Sequence, residues 1–428
     1  MPERDAPFIS DSPGGEEIPV IAWPLLFRAR INHRVRQSDH YPWWVLVTVL
    51  AGLFASGFTI TIMAVSLKDI ASDLGTSETA LTWVVTGPFL ALALTMPLFG
   101  KLGDVYGHRR VYLLGFLGFT IGAALTAFAW SGPALIAIRV LGSIPGAATG
   151  PTSMALIMRA FPEDDRVKAM GWWALVGAGA PVIGLVAGGP IVDAIGWRWI
   201  FVAQVPLSLA ALLVGVIVLH ETPRRSRVPI DWAGATTLGV ATVSALLALT
   251  LGAQLGWGNP AVVGLLLLAP IGLWAFIRAE QRAVEPLLPL AFFRQRDFTA
   301  SLVSQGAINF AYMGGFIITP LLMENRFGFS VAATSLAMVC RPLANSLASP
   351  TGGYLAARIG ERPTAVGGTI MVAVSMVLFA FAATGSLVAL VFAGLILSGI
   401  GLGGSAPSLI TVVANTVEPA DLGVANAA

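Results

Sequence analysis

Apolar residues run in stretches of about 20, the length an α-helix needs to cross a bilayer core, with short polar breaks between them. Twelve such stretches can be read: 43–65, 81–100, 111–130, 133–158, 169–193, 200–219, 232–252, 260–278, 298–322, 330–356, 363–383 and 386–413. The pattern predicts an all-α polytopic membrane protein. A mostly polar segment, residues 1–42, precedes the first stretch, which marks that stretch as a retained anchor and not a cleaved signal. Within the segment Trp23, Phe27, Ile31 and Val35 recur at i+4, with Arg30 and Arg34 on another face and Pro24 suited to a helix start. A basic helix lying on anionic lipid is one reading of this tail, and a disordered tail is the other.

Composition removes the soluble classes. Of 428 residues 56% are hydrophobic and 11% charged, against roughly 25% charged in soluble proteins. The single cysteine, Cys340, rules out an intrachain disulfide framework. The net charge of +2 hides an asymmetry. One set of alternate breaks, with the tail, holds Arg28, Arg30, Arg34 and Arg36; Lys101, Arg109 and Arg110; Arg159, Arg166 and Lys168; Arg224, Arg225 and Arg227; Arg278, Arg282, Arg294 and Arg296; Arg358 and Arg362. The other set holds Lys68, Arg198 and Arg326. Basic loops stay on the cytoplasmic side, so the N-terminus is expected in the cytoplasm. The alternation also supports the span count, because a missed span would invert every later break.

The break at 100–110 is the most informative: Gly100-Lys101-Leu102-Gly103-Asp104-Val105-Tyr106-Gly107-His108-Arg109-Arg110. Hydrocarbon cannot solvate such charges, so a tight loop at a membrane face is expected. Its glycines let helix ends approach and turn sharply. Asp104 is expected to cap or pair there, and Arg109 and Arg110 to bind phosphate headgroups or acids. Residues 353–362 repeat the frame with Ala357 in the acid's place, which suggests two related halves.

Inside the stretches, Arg139 and Arg341 stand out. An arginine facing lipid is costly, so both are expected in the bundle interior, either as cavity charges or as structural ones. Ser143 and Asn345 follow one turn on. Ser301, Gln305, Asn309 and Tyr312 form a polar stripe that should face a cavity or another helix. Trp172 and Trp173 are placed to stack on a ligand or to anchor the membrane interface. No HExxH pair, GxSxG turn or Walker A loop occurs, and His33, His40, His108 and His220 lie outside the stretches or at their ends. Neither an enzyme nor an ATP-driven pump is expected.

The GxxxDxxG frame followed by basic residues resembles the signature loop between the second and third helices of the major facilitator superfamily. Ile138-Arg139-Val140-Leu141-Gly142 resembles the family's buried arginine in the fourth helix. Gly177, Gly179, Gly184, Gly188 and Gly189 resemble the glycine-rich antiporter motif of the fifth, and Trp197-Arg198-Trp199-Ile200-Phe201 through Pro206 resembles the turn into the sixth. Six stretches, a basic connector, two stretches, a long loop and four stretches resemble the 14-span drug:proton antiporter branch with its last two helices missing. Residues 415–428 read as a break and the first turn of another helix, so the sequence is expected to be cut short, a short natural tail being the alternative.

The resemblance implies the major facilitator fold, with two pseudo-symmetric helical halves and two extra central helices. An N-terminal six-helix half would cover 43–219. A connector with the two extra helices would cover 220–297, and an incomplete C-terminal half of four helices 298–428. It implies a gating latch at Gly100, Asp104, Gly107, Arg109 and Arg110, and helix packing by Gly184, Gly188 and Gly189 that seals the cytoplasmic half.

The chain departs from that branch in the acid that proton exchange requires. The branch carries an Asp in its first helix, and aligning 58–67 puts Thr59 there. Asp104, Asp193, Asp231, Asp297 and Glu324 all fall near span ends. Gly142 replaces the family's glutamine after the arginine, and Leu185 follows Gly184 where a proline is usual. A cavity with Arg139 and Arg341 and no acid would favour anionic or neutral amphipathic substrates. The expected function is a secondary active exporter of amphipathic small molecules or drugs by alternating access, with proton coupling left open. Its pathway candidates are Thr59, Trp83, Arg139, Gln305, Asn309 and Arg341. The alternative is a non-transporting protein of the same fold: a sensor, assembly partner or lipid-handling protein. The partners expected are a small-molecule substrate, the lipid bilayer of a bacterial cytoplasmic membrane and, if coupled, protons. A monomer without cofactor, metal or nucleic acid is expected.

Overall fold

The computed structural model describes residues 38, 40–222, 231–284, 286–385, 387–418 and 422–425. The tail helix expected within 1–42 and the basic run at 224–227 lie outside the described residues, apart from the start of α1. Every predicted stretch is helical. The chain runs through α1 (Tyr41–Val65), two short helices α2 (Leu67–Asp73) and α3 (Glu78–Leu81), α4 (Trp83–Tyr106), α5 (His108–Ala127), α6 (Gly132–Gly146), α7 (Thr149–Ala160), α8 (Glu163–Ile195) and α9 (Arg198–Val218). A pair follows, α10 (Trp232–Leu255) and α11 (Pro260–Glu280). A 3₁₀ turn (Leu290–Arg294) leads into α12 (Arg296–Phe327), α13 (Val331–Met338), α14 (Cys340–Ile359), α15 (Glu361–Thr384), α16 (Val388–Asn415) and the short α17 (Leu422–Ala425). Among the described residues ten segments are long and apolar enough to cross a membrane.

Prolines explain where a predicted span becomes two helices. Between α6 and α7, Pro145 and Pro151 each lack the N–H that would close a turn. Pro342 does the same at the passage from α13 to α14.

The tight loop expected at 100–110 is corrected. α4 continues to Tyr106 and α5 begins at His108, so Gly107 alone, with φ +98°, makes the turn. The 24 residues of α4 rise about 36 Å, more than the roughly 30 Å of hydrocarbon. The charges therefore ride on helix ends that project beyond it. Gly360, with φ +99°, makes the matching joint between α14 and α15.

The helices gather into two bundles. In the first, α1 packs along α8 and α9, α5 against α6 and α9, and α4 against α6. In the second, α14, α15 and α12 pack around α16. α10 and α11 pack on each other, and α10 lies against α4. The bundles meet where α8 touches α14 and α16. The meeting is lopsided. At the end that carries the Gly107 and Gly360 joints, here the basic face, one buried cluster joins Leu46, Tyr112, Leu156 and Met170 to Ala414 and Leu422. At the opposite face each bundle has its own cluster, Met63, Leu81, Leu135 and Phe201 in the first, Met323, Met338, Phe379 and Leu395 in the second.

Glycines bring α8 and α14 together backbone to backbone. A Cβ at Gly171 would lie 2.7 Å from the Ser349 carbonyl oxygen, and one at Gly353 would lie 2.5 Å from that of Val167. Ser346 Oγ then reaches the Leu175 carbonyl at 2.7 Å. Membrane helices associate by such small-residue contacts. Gly184 is buried, while the surroundings of Gly188 and Gly189 lie outside the described residues.

Candidate functional site

A cavity opens within the first bundle, walled by α1, α4, α5, α6 and α7. α6 can reach it because it crosses α5 glycine on glycine: a Cβ at Gly122 would lie 2.6 Å from Gly142 Cα. That crossing presents Arg139 to the cavity, where it is the single charged lining residue among the described residues. Its guanidinium lies 5.6 Å from the centroid of Phe201. Arg139 Nε has no hydrogen-bond partner among the described residues.

Thr59 lines the same cavity. Its Oγ1 accepts from Gln204 Nε2 at 3.2 Å, and Gln204 also donates to the Ala55 carbonyl at 2.8 Å. Gln204 is fully buried. The remaining hydroxyls have spent their protons on nearby backbone carbonyls: Ser56 on Leu53, Thr126 on Gly122, Ser143 on Val140 and Thr149, at the start of α7, on Gly146 at the end of α6. They turn oxygen lone pairs to the cavity. Val85, Phe89, Leu92 and Phe119 supply apolar wall.

The structure thus unites Thr59 and Arg139 and sets the other candidates apart. Trp83 is the first residue of α4, at the face opposite the joints, and does not line this cavity. Gln305 lines a second pocket with Ser301, Leu409 and Val413. Asn309 Nδ2 donates to the Gln305 carbonyl at 2.9 Å. Arg341 is fully buried in the second bundle, its guanidinium 4.0 Å from the Tyr312 ring centroid. Gly315 makes the room, since a Cβ there would lie 2.5 Å from Arg341 Nη1. The polar stripe on α12 faces inward as its spacing predicts: Ser301 and Tyr312 are buried, and Phe310 on the other side is exposed. Trp173 donates to Ser153 Oγ at 3.1 Å, which ties α8 to α7.

The joint at Gly107 is a buried polar assembly. His108 Nε2 lies 3.1 Å from Asp104 Oδ1 with both side chains out of solvent. Arg159, at the end of α7, is near enough to feel the Asp104 charge. Arg109 reaches across to α9. Its Nη2 donates at 2.9 Å to the carbonyl of Val216, one of the last carbonyls of α9, where a cation complements the helix dipole. Arg110 pairs with Glu221 at 3.4 Å. Lys101, expected at a solvated loop, is buried and donates to the Pro286 carbonyl at 3.1 Å. Glu280 holds that acceptor in place, since its carboxylate accepts from Leu287 N and Leu288 N at 3.1 and 3.2 Å. Sequence reading passed over Gln204 and Glu280. The signal for Gln204 was a lone amide in the most apolar of the spans, at mean hydropathy 2.4. Glu280 gave none beyond its place at a helix end.

Residues 47–321 and 302–428 match the sequence model of the Major Facilitator Superfamily. The chain is 31% identical over 339 residues to the tetracenomycin C resistance and export protein of Streptomyces glaucescens, over 78% of this chain and 62% of that one. It is 30% identical over 384 residues to the multidrug resistance protein Stp of Mycobacterium tuberculosis, over 88% of this chain and 70% of that one. The chain therefore spans less than two thirds of the length of the first of these relatives. The crystal structure of the human organic anion transporter MFSD10 superposes with a TM-score of 0.65 at 19% identity, over 91% of this chain and 89% of that one. At that identity the likeness shows the fold alone. The sequence match and the two helical bundles agree: this multi-pass membrane chain belongs to the major facilitator superfamily.

Proposed function

We propose that the chain forms the transport unit of a secondary active exporter of amphipathic small molecules that works by alternating access. One observation carries this reading: the bundles touch through a shared core and a glycine seam at the basic face, and have separate cores at the other. A contact confined to one face is what rocking of one half against the other requires. Separation of α8 from α14 at Gly171 and Gly353 is then the opening movement. Basic residues collect at the closed face, which supports a cytoplasmic position for that face and for the N-terminus. α10 and α11 act as the two extra helices of a 14-span arrangement, moored to the first bundle where Lys101 holds Pro286. The names of the two relatives, resistance and export, support outward drug transport.

The test is purified protein in liposomes under an imposed pH gradient, with a lumenal pH dye and a panel of amphipathic anions, neutral molecules and cations. Substrate flux with proton movement establishes antiport, and flux without it establishes another coupling. Silence across the panel from folded protein favours a second reading, a non-transporting protein of the same fold. The specific support for that reading is Thr59 and Ala357 standing where the family pattern has acids.

A further inference from the structure

We infer that the cavity of the first bundle is a binding site for amphipathic organic anions, with Arg139 as the counter-charge. The inference rests on the export reading above and names its substrate class. Arg139 is the single charge on the lining, and no Asp or Glu lines the cavity among the described residues. Phe201 compensates it weakly, because 5.6 Å is close to the roughly 6 Å limit of a cation–π contact. A cation held inside a membrane bundle demands either water or an opposite charge. Here it faces a cavity whose lining includes Val85, Phe89, Leu92 and Phe119.

The hydrogen-bonding inventory narrows the ligand further. Arg139 supplies a fork of donors suited to a carboxylate or sulfonate. Thr59 supplies a second donor, since its oxygen already accepts from Gln204 and its own proton is free to turn to the cavity. Ser56, Thr126, Ser143 and Thr149 present acceptors. The fitting ligand has an anionic end, an apolar body against Phe89 and Phe119, and hydroxyl or amide donors along its flank. A lipophilic cation of the same size meets a like charge that nothing on the lining offsets.

Three fluorophores of one size test this: dansylglycine as the anion, dansylglycine amide as the neutral analogue and dansylethylenediamine as the cation. Binding is read by fluorescence polarisation on the chain in nanodiscs at pH 7, and flux in proteoliposomes separately. The anion is expected to bind about ten-fold tighter than the amide, with the cation weakest, because a desolvated charge pair is lost in the other two. Arg139→Gln should remove that preference by weakening the anion far more than the amide, and Arg139→Lys should keep part of it. A cation bound as tightly as the anion, or an anion preference that survives Arg139→Gln, overturns the inference. If Arg139→Gln does not fold, Thr59→Val decides: selective weakening of the anion supports the site, and equal weakening of all three probes overturns it. Anion binding without flux would sink the export reading and leave the site standing. Cation flux without anion binding would do the reverse.

Discussion

The joint at Gly107 and the joint at Gly360 share a frame and a backbone, and differ in what holds them. Each glycine follows another seven positions earlier, Gly100 and Gly353, and each takes φ close to +98°. At the first joint Asp104 and His108 are buried together, and Lys101, Arg109 and Arg110 each find a partner on another segment. At the second, Ala357, Arg358 and Arg362 are exposed, and the tight contact is made by the backbone at Gly353. The glycines encode the turn in both places, and the positions between them decide whether chemistry or packing secures it. A joint held by charge can be weakened by changing one proton or one side chain. A joint held by backbone contact yields only when a whole helix moves.

The largest effect is expected where backbone meets backbone. In Gly353→Val the new Cβ would sit 2.5 Å from the Val167 carbonyl oxygen and 3.1 Å from Lys168 Cα. Neither atom can swing aside. Overpacking of this kind costs about 1–3 kcal/mol, and here it also wedges the seam between the bundles. A lowered Tm in detergent and loss of flux in proteoliposomes are the expected results. Wild-type values in both assays would show that the seam is not tight.

Gly107→Ala and Gly360→Ala compare the joints directly. Both place a Cβ at a positive φ, a strain of about 1–3 kcal/mol. At Gly107 the added methyl would also overlap the Glu221 carboxylate and push it off Arg110. At Gly360 the nearest atom is Pro363 Cδ at 3.5 Å, an ordinary contact. The drop in Tm should therefore be larger for Gly107→Ala. Equal drops would mean that Glu221 contributes nothing to the first joint.

Adding or removing the acid sharpens the contrast. Asp104→Asn keeps the shape and takes the charge away from His108 and Arg159. Loss of a buried charged partner costs on the order of 1–3 kcal/mol. Ala357→Asp installs the acid at the equivalent exposed position, where surface substitutions stay within about 0.5 kcal/mol. Chemical denaturation of the two variants separates the cases, and similar losses in both would make the joints energetically alike.

Much of this architecture was legible because it is local. Span length located the helices, and Gly107 and Gly360 announced their turns. The stripe from Ser301 to Tyr312 announced an inward face. The loop at 100–110 misled because charge was equated with solvent exposure. Lys101 and Asp104 are buried, but their partners, Pro286 and His108, include one far along the chain. The same limit applies to the cavity. Thr59 and Arg139 were both visible as polar residues in apolar spans. Their meeting, and the separation of Arg341 from them, depend on how α1, α6 and α14 pack, which no short window contains. Gln204 was hidden for that reason: its role exists only across the contact of α9 with α1.

A charge contact outside both joints sets the scale for what water leaves of such an interaction. At the face opposite the joints Asp73 accepts from Arg198 and from Trp197 Nε1. Those two hydrogen bonds, Arg198 first, hold its carboxyl below the usual aspartate range. Because the folded value lies below the unfolded one, the contact stabilises the fold fully above the ordinary aspartate pKa. The contribution fades as the pH falls through the lowered value. The side chains of Arg198 and Asp73 are 38% and 44% exposed, so screening by water keeps the contribution at about 0.5 kcal/mol or less. Asp73→Asn should lower Tm slightly at pH 7, less in high salt, and not at all once the wild-type carboxyl is protonated. A loss matching that of Asp104→Asn would break the comparison, because burial would then no longer separate the acid that secures a joint from one that decorates a surface.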